Sequence, residues 1–457
     1  MHIDARIARL RSLDREHIWH PFTQMADWAK SDPLIITEAS GCFLKDVRGG
    51  WYLDGVSSLW VNILGHRRKE IDEAIKAQLG KVAHSTLLGM ASEASSELAG
   101  KLAALVQKSF GAGRLTRIFF SDDGSTSVEV ALKMAFQYWA HKGEKQRTLF
   151  ISLENGYHGD TLGSVSVGGV DIFHSAFKPL LFRTGKAPSP YCYRCPLGLT
   201  RPGCGLECAA ALERLVEANR DTVAGVVLEP MVQAAGGMIF FPAGYLKRVS
   251  EICNRHGVPF IADEVATGFG RTGKTFACEH EGVVPDILCL SKGLTGGYLP
   301  LAVTVANDKI YNAFLGGYEE LKTFFHGHSY TGNPLACAAA SAVLDIFDKE
   351  DIPGMAAPKA AILKNWLRDM ETRQFVGEAR GLGLMAGVEL VADKETKKHF
   401  PWEQRVGWKV ALKALEKGLF IRPLGNVIVI MPPLSVSQPN LERMLEVIAE
   451  AVSECAG

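Results

Sequence analysis

The sequence predicts an α/β protein in which a mostly parallel sheet is flanked by helices, with a smaller α+β domain beside it. Three observations carry that expectation. Short apolar, β-branched runs alternate with helical patterns through the middle of the chain, as a sheet covered on both faces requires. From about residue 340 the pattern changes to helical stretches around shorter strand-like runs. The 457 residues also exceed what one ordinary core holds.

Taken in order, residues 1–75 hold the strand-like CFLKDVRG and WYLDGV and are expected to fold against the C-terminal part. The expected division is 1–75 and 336–457 for the small domain, contributed by both termini, and 76–335 for the large one. Expected strands of the large domain are TRIFFS at 116–121, RTLFISL at 147–153, VAGVVLEP at 223–230, VPFIADE at 258–264 and DILCLSK at 286–292. Between the first two, Val128, Ala131, Leu132, Ala135 and Phe136 recur at helical spacing, which predicts a helix opening just after Gly124-Ser125. Glu129 and Lys133 would pair at i,i+4 on its more exposed side. Later, helical stretches at 334–347, 403–417 and 441–455 flank GLMAGVEL, LFIRP and VIVIMPP. Asn333 and Pro334 suit N-cap and N1, and Gly418 suits C′.

Fifty Lys and Arg balance fifty Asp and Glu, and no basic run could track a phosphate backbone, so nucleic acid is not an expected partner. The N-terminus has no continuous apolar core, and the apolar stretches elsewhere are interrupted by charges, so neither a signal peptide nor a membrane span is expected. Cys42, Cys253, Cys289 and Cys337 sit within apolar runs, as reduced thiols of a cytoplasmic protein would. Cys192, Cys195, Cys204 and Cys208 instead form a C-x2-C-x8-C-x3-C cluster. That spacing allows a closed, structural zinc site, and a Pro/Gly-rich surface loop whose thiols happen to be neighbours is the plainer account of it. No metal is assigned to catalysis.

The chemistry centres on Asp263, at the end of an expected strand, and Lys292, in a Ser-Lys-Gly turn after another. A lone amine and a carboxylate at strand ends are what pyridoxal phosphate requires: the amine holds the aldehyde as a Schiff base, and the carboxylate keeps the pyridine nitrogen protonated. The apolar strand before Lys292 and the Gly-rich turn after it argue for a partly buried amine. In ENGYHGD, Tyr157 could stack on a flat ring, supported by His158 and Asp160. The helix start at Gly124 and Ser125 is a candidate anion site, as is the Gly-rich turn in HGHSYTGNPLA, although capping alone explains each. GFGRTG at 268–273 has the G-x-G-x-x-G spacing, but no amphipathic helix follows it, so it reads as a mobile loop carrying Arg271 toward a substrate.

These segments together resemble the class III (ω-amino acid) aminotransferases of pyridoxal-phosphate fold type I. The resemblance runs through DDGSTSVEVALKMA, NGYHGDT, ADEVATGFGRTG, SKGLTGG and TGNPLA. HIWHPFTQM, DGVSSLW, PDILCLSKGLTGG and IRPLG resemble the branch that serves biotin biosynthesis. The resemblance implies ping-pong conversion of 8-amino-7-oxononanoate to 7,8-diaminononanoate, with S-adenosylmethionine or lysine as amino donor. It implies that Lys292 carries the cofactor and moves the proton, that Asp263 pairs with the ring nitrogen, and that Tyr157 stacks on the ring. Gly124 and Ser125 would hold the phosphate, joined by Gly327 and Ser329 across a homodimer interface. Arg271 and Arg422 would receive a substrate carboxylate, and Trp60 would line the pocket. Phe22 and Leu59 stand where the resemblance would place Tyr and Trp, which leaves the donor open; Ser329 stands for Thr and keeps the hydroxyl. Two rivals remain: a class III enzyme acting on ornithine, 4-aminobutyrate or β-alanine, and a non-catalytic protein whose four-Cys cluster binds zinc.

Overall fold

A computed structural model describes residues 3–456. Its centre is a seven-stranded sheet made of β1 (Arg117–Ser121), β2 (Leu149–Leu153), β3 (Thr184–Ala187), β4 (Val223–Leu228), β5 (Phe260–Asp263), β6 (Ile287–Leu290) and β7 (Ala302–Ala306), in the order β1-β7-β6-β5-β4-β2-β3. Strands β6, β5, β4, β2 and β3 pair in parallel, whereas β7 runs antiparallel to both β6 and β1. Every residue of β4, β5, β6 and β7 is buried. Helices therefore cover both faces, which is why these strands read as continuous apolar runs rather than alternating ones.

All five expected strands are present with trimmed ends. Two were not foreseen. β3 is the short and largely polar TGKA, with no apolar pattern to find. β7 is AVTVA, whose β-branched run was a legible signal.

The helix after β1, α1 (Gly124–His141), starts at Gly124 itself, because Asp123 is the N-cap: its side chain accepts from the Thr126 N–H at 2.9 Å, and Thr126 Oγ1 accepts from the Asp123 N–H. Val128, Ala131, Leu132 and Ala135 are buried as their spacing requires. Phe136, one position around the helix, is 46% exposed and leaves that face.

Toward the C-terminus, β8 (Val376–Leu382) and β10 (Val427–Ile430) flank β9 (Met385–Asp393), all antiparallel. The strands Ile36–Ser40, Phe43–Asp46 and Trp51–Asp54 form a second sheet, and Leu419 and Phe420 join it by pairing with Leu53 and Asp54. Chain segments from the two ends thus share one sheet. The division at 335/336 falls inside the helix Pro334–Lys349, which packs on Lys69–Leu79 and Glu93–Phe110. That helix is one rigid body, so a boundary belongs at one of its ends. Its start is as expected: Asn333 caps the Ala336 N–H at 3.1 Å with Pro334 behind it. Gly418, at φ +79°, terminates Val406–Glu416. The twenty-residue helix Ile352–Glu371 was not foreseen; Pro353, Gly354 and Pro358 break its pattern, and the first two are tolerated in the opening turn, where Asp351 caps the Gly354 N–H.

Candidate active site

The carboxyl ends of the parallel strands open into a cavity of about 720 Å³, and Trp60, Gly124, Ser125, Tyr157, Asp263 and Lys292 all line it. This is where an open α/β sheet places a ligand.

Lys292 begins the turn after β6, and its backbone is held at φ +42°, a left-handed conformation that a lysine adopts at a cost. The amine lies 4.7 Å from the Trp60 ring centroid. Burial pushes its pKa down to about 8; the Asp263 and Glu229 charges oppose that shift, and Arg271 reinforces it. A substantial fraction is therefore neutral near physiological pH, as a nucleophilic amine must be. Trp60 belongs to Ser57–Trp60, a run of four residues all at positive φ.

Asp263 ends β5 and is 4% exposed. Its Oδ2 lies 2.7 Å from His158 Nδ1, and its Oδ1 accepts from the Val265 N–H at 3.1 Å. His158 is equally buried, and its Nε2 has no partner. The histidine fixes the orientation of the carboxylate, which the sequence reading had only placed nearby. Tyr157 donates to Asp160 through its hydroxyl at 2.8 Å and packs edge-on to Phe173.

Glu229 was missed. It follows β4 in the LEP segment and is buried, and its two carboxylate oxygens accept from the Tyr157 N–H at 3.1 Å and the Ala234 N–H at 2.9 Å. Burial, then the nearby Asp263 charge, raises its pKa to about 8. An acid directly after an apolar strand was the available signal, the same one that singled out Asp263. Glu229→Gln offers one acceptor oxygen where two N–H groups converge, so the unfolding free energy in urea is expected to fall by about 1–3 kcal/mol; an unchanged midpoint and slope would remove this role.

At the start of α1, the N–H groups of Gly124 and Ser125 have no acceptor within the helix. Gly124 is needed sterically, since a Cβ there would sit 2.6 Å from Val265 Cγ1. Ser125 Oγ lies 2.8 Å from Thr161 Oγ1 and accepts from the Thr161 N–H at 3.0 Å. Glu129, expected to pair with Lys133, instead accepts from the Gly163 and Ser164 N–H groups at 2.7 and 3.2 Å and from the Thr161 hydroxyl. Lys133 turns to His326 Nδ1 at 3.0 Å. Tertiary partners outcompete the exposed helical pair, which is worth only a few tenths of a kcal/mol.

Other expected residues lie outside the cavity wall. Arg271 is not on a surface loop: residues 266–272 are buried, and its guanidinium donates to the main-chain carbonyls of Pro432 at 2.6 Å, Asn62 at 3.0 Å and Trp60 at 3.3 Å. Burial lowers its pKa to about 9. Only Nε has no partner. Arg422 is half-buried and donates to the Phe22 carbonyl at 3.3 Å. Phe22 packs edge-on to Phe173, so Phe22, Phe173 and Tyr157 form one aromatic chain. Leu59 is 55% exposed. Gly327 and Ser329 are exposed and do not line this chain's own cavity.

A strand-end amine, a histidine-held carboxylate, an aromatic ring and a helix start with free N–H groups in one cavity define an aminotransferase site, and the chain belongs to the class-III aminotransferases, whose family pattern matches residues 24–452. Among curated relatives, the adenosylmethionine-8-amino-7-oxononanoate aminotransferase of Geobacter sulfurreducens is 51% identical, with 98% of each chain covered. The crystal structure of the Methanocaldococcus jannaschii enzyme of the same name superposes with a TM-score of 0.93 at 47% identity, covering 98% of this chain and 99% of that one. An amine transaminase from an uncultivated Pseudomonas species, solved with pyridoxal phosphate bound, gives a TM-score of 0.90 at 39% identity over 96% of this chain and 99% of that one. The cofactor of this family is pyridoxal phosphate, and the donor set fits it: an amine for the aldehyde, a carboxylate for the ring nitrogen and free N–H groups for the phosphate.

Proposed function

We propose that this chain transfers an amino group to the keto carbon of 8-amino-7-oxononanoate, giving 7,8-diaminononanoate for biotin synthesis, with S-adenosylmethionine as donor. The names of the relatives support that substrate and donor. The single observation that carries the chemistry is that Lys292 and the Asp263–His158 pair face the same cavity as the start of α1.

When bound, pyridoxal phosphate supplies an electron sink for the charge left when a substrate carbon loses its proton. Lys292 would hold it through the amine, Asp263 through the ring nitrogen, Tyr157 by stacking, and Gly124 and Ser125 at the phosphate. His158 and the Val265 N–H leave the Asp263 carboxylate no freedom to turn away from where the ring nitrogen would lie. Once substrate displaces it from the cofactor, the Lys292 amine takes the proton from the donor carbon, and in the second half-reaction it returns one to the product carbon. One base serves both halves, so no second acid is needed. Gly327 and Ser329 are assigned to the phosphate of a partner subunit in a homodimer; their exposure supports this. Arg422 is assigned to a substrate carboxylate through its guanidinium. Arg271 would join it by exchanging a carbonyl acceptor for the carboxylate.

Because the neutral amine is the reactive form, capture of the cofactor by the apoprotein is expected to speed up as pH rises through about 8 and to level off above it. Stopped-flow absorbance measures this; an inflection near the ordinary lysine value of 10.5 would contradict it. The donor is tested by a half-reaction, mixing the loaded protein separately with S-adenosylmethionine and with lysine and following conversion to the pyridoxamine form. Conversion by S-adenosylmethionine supports the proposal, and conversion by lysine alone would overturn the donor and assign that choice to Phe22 and Leu59.

A further inference from the structure

The segment joining β3 to α2 (Glu207–Ala218) serves no part of the transamination, yet with the first turn of α2 it carries the four-cysteine cluster. Cys192, Cys195, Cys204 and Cys208 all line one small cavity of about 20 Å³. That is room for about one water-sized sphere, which suits a single ion and excludes an organic ligand or a multi-iron cluster. Leu197, Leu199, Leu206 and Pro242 form an apolar wall around it. None of the four thiols is in a disulfide. Cys195 opens a turn closed by the Gly198 N–H donating to its carbonyl at 3.0 Å, with Cys192 three residues before it; the other two bracket the start of α2, where the Glu207 N–H donates to the Cys204 carbonyl at 3.2 Å.

We propose that these four cysteines bind one zinc ion in a closed tetrahedral site with a structural role. Four thiolates leave no open position for substrate or water, so the site does not take part in catalysis. Among the described residues, no three of the sulfurs lie within 4.8 Å of one another, so ligation draws the 191–206 segment inward. The thiols lie close enough to influence each other. Cys208 is pushed up to about 11, first by burial and then by Cys192 and Cys204; Cys192 is raised by burial, against the opposing charge of Arg201. Four thiolates and Zn²⁺ sum to −2, and Arg201 lines the same cavity to offset that charge.

The segment also reaches the small domain. Tyr191 donates to Glu389, Arg194 Nε donates to the same carboxylate at 2.6 Å, and Lys397 Nζ donates to the Tyr193 carbonyl at 2.6 Å. A metal at the root of this strap fixes the contact between the domains. The other gathered group, Glu213, Glu217 and His256, carries no such inference, because Glu213 is already paired with Arg248 and Arg255.

The test is metal content in the full-length, cofactor-loaded protein, measured by elemental mass spectrometry after extensive dialysis without chelator. About one zinc per chain is expected, and the Cys204→Ser/Cys208→Ser variant should lose it about tenfold or more while keeping its cofactor absorbance. Should that variant fail to fold, the wild-type protein answers alone: four thiols should react with a thiol reagent only as zinc is released, and Co²⁺ exchanged for zinc should show the visible bands of tetrahedral thiolate ligation. Equal zinc in wild type and folded variant would mark an adventitious ion. That result, or four thiols that react at once in metal-free protein, or a mass showing disulfides among them, would overturn the proposal.

Discussion

Lys292→Ala is expected to lower steady-state turnover at least about 10³-fold, some 4 kcal/mol of barrier, while the protein stays folded. Two contributions disappear together. The amine proposed to carry the cofactor is gone, and so is the base proposed to take and return the proton, and nothing beside it can replace it. Asp263 is locked to His158 and Val265, and Glu229 is occupied by two main-chain N–H groups. Alanine removes a side chain that lines the cavity beside Trp60, so no core packing is lost with it. Cofactor would still bind, held without a covalent bond, and near-ultraviolet circular dichroism should match the wild type. Turnover within tenfold of the wild type, in protein shown by mass to carry the substitution, would remove Lys292 from its assigned role.

Asp263→Asn is the second large effect, expected to cost about 10²–10³-fold in turnover with cofactor still captured. The change keeps the shape and removes the charge. Asparagine can still accept from the Val265 N–H, but the charge that favours a protonated ring nitrogen is absent, so the cofactor withdraws electrons less strongly. The loss should therefore fall on proton removal, seen as a larger deuterium isotope effect on the donor half-reaction. An unchanged rate with an unchanged isotope effect would mean that the carboxylate serves only to anchor His158.

Much of this site was legible because its residues sit where strand ends must place them. Asp263 and Lys292 each follow an apolar run of buried parallel strand, and a run of that kind announces its own end. Gly124 and Tyr157 were found the same way, from a turn after a strand. What escaped depended on partners distant in sequence. The His158–Asp263 bond spans 105 residues, Glu129 finds its acceptor role 32 to 35 residues away, and Arg271 is held by carbonyls more than 150 residues off on either side. No local pattern encodes such contacts. The fold divides in the same way. Five of the seven strands of the central sheet were visible by composition, β3 was too short and polar to see, and the helix Ile352–Glu371 was hidden by prolines that its first turns accommodate.

The most direct measurement of the central claim is product formation: incubate the loaded enzyme with 8-amino-7-oxononanoate and S-adenosylmethionine and detect 7,8-diaminononanoate by mass spectrometry. The account predicts the diamine, catalytic in enzyme and absent with Lys292→Ala. No diamine with either S-adenosylmethionine or lysine as donor, from protein that transaminates other ω-amines, would contradict it.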